Sequence, residues 1–437
     1  MSAPGWHGRV WRLAGPIIVS NLSLPLLGAV DTGIMGHLEA PAYIGAVALG
    51  AVVLSYLYWG FGFLRMTTTG FTAQAAGRGD DAELRLVFAR SLLLGLIVGI
   101  LAIALQGPIL RTALALLDGS PEVERLAGAY FAVRIWGAPA TFANYVIIGW
   151  LLGRQRATTT LWLQLLMNAT NAALDFAFVV GFGWGVEGVA AGTIIAEYLA
   201  AVIGLVVVGR RLVRIHGPWS WSATLDAAKI RALVSVNGDI FLRTLCLVTT
   251  FALFTANGAA QGDAVLAANA VLVQFLMVVS HGLDGFAHAT EALVGHAIGA
   301  RDREALHRAV TTATWWSGIV AVGFSLLYAS LGWLLIDALT SLNDVRATAR
   351  EFLPWMIVLP PIAMTAYQFD GVFLGAIRPK PMRNGMILAL GVFAATYFGL
   401  APFWGNHALW LALVLFLATR AVVLVAAYPR LRREATP

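Results

Sequence analysis

Along the chain, long apolar runs alternate with short clusters of charge, glycine and proline, and each run is far longer than the buried face of a soluble strand or helix. The runs predict helices near 10–36, 42–73, 86–107, 122–153, 158–181, 187–208, 232–257, 264–297, 304–329, 348–376, 382–404 and 407–428. A hydrocarbon core of ~30 Å needs about 20 apolar residues per crossing, so the pattern predicts an all-α polytopic membrane protein with twelve transmembrane helices. The short connections leave no room for a separate soluble domain. The first run, from Val10 onward, is followed by no small-residue cleavage site, so it is expected to remain as a spanning helix.

Sliding the chain against itself exposes an internal repeat. One offset of 222 residues superposes Gly36 on Gly258, Gly77 on Gly299, Asp80 on Asp302, Gly149 on Gly371, Gly153 on Gly375 and Arg156 on Arg378. Because that interval holds an even number of crossings, the two halves are expected to share an orientation, as parallel six-helix lobes. The expected organisation is an N-terminal lobe at 1–208, a basic, Trp-containing linker at 209–231 and a C-terminal lobe at 232–437.

Composition agrees, with 59% hydrophobic and 12% charged residues, against roughly 25% charged in a soluble domain. The pI near 9.7 would suggest nucleic acid until the charges are placed. Four basic residues, Arg111, Arg125, Arg346 and Arg350, fall in the odd-to-even loops, whereas 21 fall at the termini and in the even-to-odd loops. By the positive-inside rule both termini are cytoplasmic, and the basic excess is a topology signal with no nucleic-acid partner implied. Cys246 is the sole cysteine, which excludes an intramolecular disulfide and suits a packed thiol.

Ionisable groups at membrane depth are costly and mark candidate function. Asp31 is the sharpest case: it lies deep in the first span with no Lys or Arg within a turn or two. Withdrawal from water favours its neutral acid, which suits reversible proton loading; the competing reading is a carboxylate paired with a distant base. Pro16 and Pro25 in the same span make it bendable, as a hinge or a static kink. In the fifth span Gln164, Asn168, Asn171 and Asp175 recur at spacings that place them on one helical face. With Thr193 and Glu197 of the sixth span, and Tyr130 and Asn144 of the fourth, they are expected to form an N-lobe cavity of oxygen ligands for water, protons or Na⁺, unless they serve as interhelical packing bonds.

In the second half, His281, Asp284, His288 and Glu291 lie along the eighth span, with Gln368 and Asp370 of the tenth expected to face them. Such groups relay protons or neutralise one another. The stripe is too weak a pattern for a metal site, and none is assigned. The counterparts of Asp31 and Asp175 are Leu253 and Tyr397, so coupling chemistry is expected mainly in the N-terminal half. Gly77-Arg78-Gly79-Asp80 reads as a loop turn rather than a protease motif, and Asn21-Leu22-Ser23 and Asn168-Ala169-Thr170 are unusable as glycosylation acceptors within spans. No Walker A sequence is present, so energy from ATP bound by this chain is excluded.

The chain resembles the multidrug and toxic compound extrusion (MATE) transporters, specifically their DinF branch. The strings that carry the resemblance run from Pro25 through Asp31-Thr32-Gly33 to Leu38, from Arg65 to Gly70, at Leu174-Asp175 with Glu197-Tyr198, from Leu283 to Ala287, from Gly299 to Asp302, and from Gly405 to Trp410. The resemblance implies a V-shaped monomeric antiporter of the bacterial inner membrane, not an enzyme and without a cofactor. It would export amphipathic, often cationic compounds while H⁺ or Na⁺ enters. It also implies coupling at Asp31, a cation site at Asn171, Asp175 and Thr193 with Tyr130 and Asn144 nearby, and the kinking proline at Pro16. Where relatives tend to carry a basic residue this chain has Gly238, which puts a local ion pair of Asp239 in question. Two other classes were weighed. A lipid-linked precursor flippase of the same superfamily needs basic residues in its cavity, and the spans hold only Arg65, Arg134, Arg243 and Arg420. An intramembrane aspartyl protease would need Asp31 and Asp175 in contact.

Overall fold

Backbone groups in hydrocarbon must be satisfied within the segment, which leaves the helix as the structure for runs of this kind. The computed structural model describes residues 5–35, 41–117, 121–215 and 220–435, without the side chains at 24–35, 41–46, 48, 116–117, 121–122 and 434–435, and the described residues contain no strand. The helices are α1 (Trp6–Met35), α2 (Pro41–Gly60), α3 (Phe63–Arg78), α4 (Asp81–Ala104), α5 (Gln106–Leu117), α6 (Pro121–Arg134), α7 (Ala138–Gly153), α8 (Ala157–Asp175) and α9 (Val186–Val213). After the short α10 (Trp221–Thr224) come α11 (Ala227–Ala259), α12 (Asp263–Gly299), α13 (Arg303–Leu339), α14 (Asn343–Gly375), α15 (Lys380–Trp404) and α16 (Asn406–Ala435). Among the described residues, eleven helical segments are long and apolar enough to cross a membrane. The thirty-residue α1 adds the remaining predicted span.

The expected crossings are present, but the first half breaks them. The predicted helix 42–73 is two helices separated at Phe61 and Gly62, and the predicted helix 122–153 is α6 and α7 joined by a 3₁₀ turn at Ile135–Gly137. The predicted loop at 107–124 contains α5, and the loop expected from 330 is helical to Leu339. Arg111 and Asp337 make these stretches look like loops, yet each charge sits on one face of an amphipathic turn and is compatible with a helix.

The repeat governs the backbone in detail. Adding 222 to Asp81 and Gly153 gives Arg303 and Gly375, where α13 begins and α14 ends. Three pairs of residues in the left-handed region obey the same offset: Gly79 (φ 66°) with Arg301 (55°), Gln155 (57°) with Ile377 (56°), and Gly183 (69°) with Gly405 (50°). Asp80 caps α4 by accepting from the Glu83 amide at 2.9 Å, and Asp302 caps α13 by accepting from Ala305 at 2.8 Å. The close crossings repeat as well. A Cβ on Gly149 would fall 2.5 Å from the Arg65 carbonyl oxygen, and one on Gly371 would collide with that of Ala287; Gly153 and Gly375 face Thr69 and Glu291 likewise. These are small-xxx-small contacts that let α7 lie on α3 and α14 on α12.

The chain divides into two compact units, Val19–Leu233 and Met1–Ile18 with Val234–Pro437. In the first, Arg85 and Arg90 of α4 hold the segment that follows α9. Arg85 donates to the carbonyls of Leu212 (2.8 Å) and Ile215, and Arg90 to those of Ala223 (2.7 Å) and Thr224 (3.2 Å) while binding Glu83 at 2.9 Å. In the second, Trp11 meets Phe286 and Trp316 edge-on, with ring centroids 5.3 Å away in each case. The buried Asn269 and Asn406 exchange two hydrogen bonds of 2.8 and 2.9 Å, and the Trp410 indole donates to Asn269 at 2.9 Å. That network accounts for Asn406 and Trp410 in the string Gly405 to Trp410. Cys246 is buried in the same unit.

Candidate functional site

The polar face of α8 is real, and the structure divides it into two sets. Gln164 donates to Asn168 at 3.0 Å, and Asn168 donates to the Ser23 hydroxyl of α1 at 2.8 Å. One turn on, the Asn171 amide donates to Asp175 Oδ2 at 2.9 Å and to Thr193 Oγ1 of α9 at 3.1 Å, and Thr193 in turn donates to the Val189 carbonyl at 2.9 Å. Asp175 is 0% exposed and Asn171 2% exposed. The carboxylate fits because Gly192 stands opposite: any Cβ there would overlap Asp175 Oδ1. Directly after Asp175 the helix widens into a π-helical stretch, Phe176–Gly181, an irregularity that often marks functional positions. A carboxylate, a carboxamide and a hydroxyl in one buried place can hold a proton or a hard cation.

Asp31 and Pro25 lie within α1, but their side chains are outside the described residues; Pro16 is half-buried in the same helix. Tyr130 and Asn144 belong to a second group. Arg134 makes a bidentate pair with Glu197, Nη2 to Oε1 at 2.6 Å and Nη1 to Oε2 at 2.9 Å, and its guanidinium lies 5.3 Å from the Tyr58 ring centre. The Asn144 amide donates to the Glu197 backbone carbonyl at 3.0 Å, and Tyr130 is an electrostatic neighbour of Arg134 and Tyr58. Arg134 and Glu197 are each 7% exposed. The oxygen set read as one cavity thus has Asn171, Asp175 and Thr193 in direct contact, with Asn144 and Tyr130 around an ion pair.

In the other unit Asp370 is bound by two arginines, Arg420 of α16 at 2.7 Å and Arg243 of α11, rather than by the histidines of α12. Arg420 also lies 5.7 Å from the centre of the Tyr367 ring, whose hydroxyl meets Ser280 at 2.9 Å. Gln368 donates to Thr290 at 2.7 Å, and His281 Nδ1 meets the Met277 carbonyl of its own helix at 2.6 Å. Asp284 neighbours Tyr367, His288 is half-buried, and Glu291 is fully buried beside Gly375. Arg243 and Arg420 were visible in the sequence only as scarce intramembrane bases. Beside Gly238, Asp239 has its ion pair after all, with Arg383 of α15 at 2.5 Å.

The MatE family model matches residues 16–177 and 240–397, one stretch in each half of the chain. The DNA damage-inducible protein F of Escherichia coli is 42% identical over 98% of this chain and 93% of its own length. A probable multidrug resistance protein NorM of Rhizobium meliloti is 28% identical over 97% of this chain and 93% of its own. A solved transporter of the MOP superfamily from Pyrococcus furiosus shares the fold, with a TM-score of 0.87 at 18% identity, covering 99% of this chain and 96% of that one. The two-lobed helical repeat, the full-length likeness and the double family match together place the chain in the MatE family of multidrug and toxic compound extrusion transporters, in its DinF branch.

Proposed function

We propose that the protein is a secondary antiporter that exports amphipathic, often cationic compounds in exchange for H⁺, with Na⁺ as the alternative coupling ion. The observation that carries this reading is the fully buried Asp175 carboxyl, held by Asn171 at 2.9 Å, with Thr193 3.1 Å from that same amide and a π-helical turn beginning at the next residue. Asp175 and Asp31 are the coupling carboxylates. Each exists in a charged form that attracts a cation and a protonated form that does not. At 4 Å and an effective dielectric near 20, the attraction is worth about 4 kcal/mol, so loading a proton weakens a monovalent cationic substrate by roughly a thousandfold. Such a difference in affinity is what biases one conformation over another. Protonation of Asp31 is coupled to bending of α1 at Pro16 and Pro25, and Gln164, Asn168, Tyr130 and Asn144 shape the surrounding N-lobe. The protein acts as a monomer in the bacterial inner membrane, with both termini cytoplasmic. Carboxylates engage Arg134, Arg243 and Arg420, which disfavours a flippase that would need them for a lipid pyrophosphate.

The test is transport of a lipophilic fluorescent cation in proteoliposomes, driven separately by imposed pH and Na⁺ gradients. Wild type is expected to move it against its gradient, with Asp31→Asn and Asp175→Asn at least tenfold slower. Export by Asp31→Asn as fast as wild type down a pH gradient would refute this coupling.

A further inference from the structure

The cluster around Asp370 holds more positive than negative charge. Arg243 of α11 and Arg420 of α16 both donate to one oxygen, Asp370 Oδ2, so two guanidiniums share one carboxylate. Arg420 Nε and Nη1 and Arg243 Nε are buried with no hydrogen-bond partner among the described residues. The electrostatic neighbours of Arg420 are Asp370, Arg243 and Tyr367, whereas Asp284 is a neighbour of Tyr367. The rings of Tyr367 and Phe416, with centres 5.7 and 5.5 Å from the Arg420 guanidinium, offer it π density but no formal charge.

A guanidinium does not escape burial by shedding a proton, because arginine stays charged in proteins. Water satisfies spare N–H groups but brings no charge. With Asp370 6%, Arg243 8% and Arg420 2% exposed, a residual positive charge here is costly unless a negative group meets it. The repeat supplies an internal comparison. Shifting back by 222 residues, Arg243, Asp370 and Arg420 correspond to Asn21, Ile148 and Tyr198, so the whole cluster is specific to the second half. The buried pair of the first half, Arg134 with Glu197, is one to one and bidentate, and leaves no such excess.

We infer that Arg243, Asp370 and Arg420 together bind one small monovalent anion of the size of chloride. The single residual charge sets the valence, and the spare guanidinium N–H groups are the donors that hold it. Burial sets the size: side chains this enclosed admit a monatomic ion, whereas a lipid pyrophosphate is too large and too highly charged. The anion completes the charge balance of the second half. Its site is separate from Asn171, Asp175 and Thr193 and holds whichever ion drives transport.

The experiment uses the full chain in detergent at constant pH and ionic strength, in sodium chloride, bromide or gluconate. It reads thermal stability and equilibrium binding of radiolabelled chloride. Wild type is expected to bind one chloride per chain, displaced by bromide and not by gluconate, and to unfold at a higher temperature in either halide. Arg243→Gln leaves Arg420 and Asp370 one to one, and should bind chloride roughly 30-fold more weakly, the lower end of what losing one partner of a buried charge pair costs. Arg308→Gln, which removes a charge paired with Glu304 at the exposed start of α13, should behave as wild type. The displacement measurement on wild type decides the matter even where a variant does not fold. The inference is overturned if wild type binds no chloride, if gluconate displaces it as well as bromide does, if Arg243→Gln binds it as wild type does, or if Arg308→Gln loses as much.

Discussion

The pair Arg134–Glu197 offers a quantitative test of how this membrane interior handles charge. Replacing Arg134 by Met keeps an unbranched side chain against Tyr58 but orphans a carboxyl in a residue 7% exposed. Removing one partner of a buried pair typically costs 3–5 kcal/mol. Thermal unfolding of purified protein in detergent, followed by loss of the monodisperse size-exclusion peak, is expected to show a deficit of this size for Arg134→Met against wild type. Adding Glu197→Leu should remove most of it, since an apolar replacement of both partners is often neutral. A single variant as stable as wild type, or a double variant no better than the single, would refute the reasoning.

Two further outcomes follow from packing. Gly371→Ala places a methyl on the Ala287 carbonyl and is expected to lose roughly 1–3 kcal/mol, whereas Gly318→Ala, whose nearest neighbour is Met364 Cε at 3.6 Å, should be neutral or gain up to about 1 kcal/mol; equal melting temperatures would contradict the crossing geometry. Arg90→Ala removes the donors to Ala223 and Thr224 and the partner of Glu83. Trypsin should then cut after Arg214 several-fold faster, and an unchanged cleavage rate would show that Arg90 does not hold this segment.

The spans were legible because twenty apolar residues in a row leave few alternatives, and the repeat in part because Gly149, Gly153, Gly371 and Gly375 sit where a Cβ cannot. Breaks inside a span were not. Phe61-Gly62 and Ile135–Gly137 interrupt helices without interrupting hydropathy, and their second-half counterparts run through unbroken in α12 and α14. The α8 stripe could be read as a face, since spacing fixes direction around a helix, but its division between Ser23 and Thr193 depends on which neighbours pack there. The ion pairs were the least visible. Glu197 lies 63 residues from Arg134, and Asp370 lies 127 from Arg243 and 50 from Arg420, so no local pattern links them.

The matched left-handed positions have a consequence for how the molecule has been able to change. At two of the three pairs the residues themselves differ, Gly79 against Arg301 and Gln155 against Ile377, while the φ angles agree within about eleven degrees. A duplicated plan of this kind separates architecture from the side chains it carries within a single gene product. One half carries the buried carboxyl of Asp175 where the other has Tyr397, and Val208 where the other has Arg430. Each half is the other's control experiment, carried out by divergence under one shared set of turns.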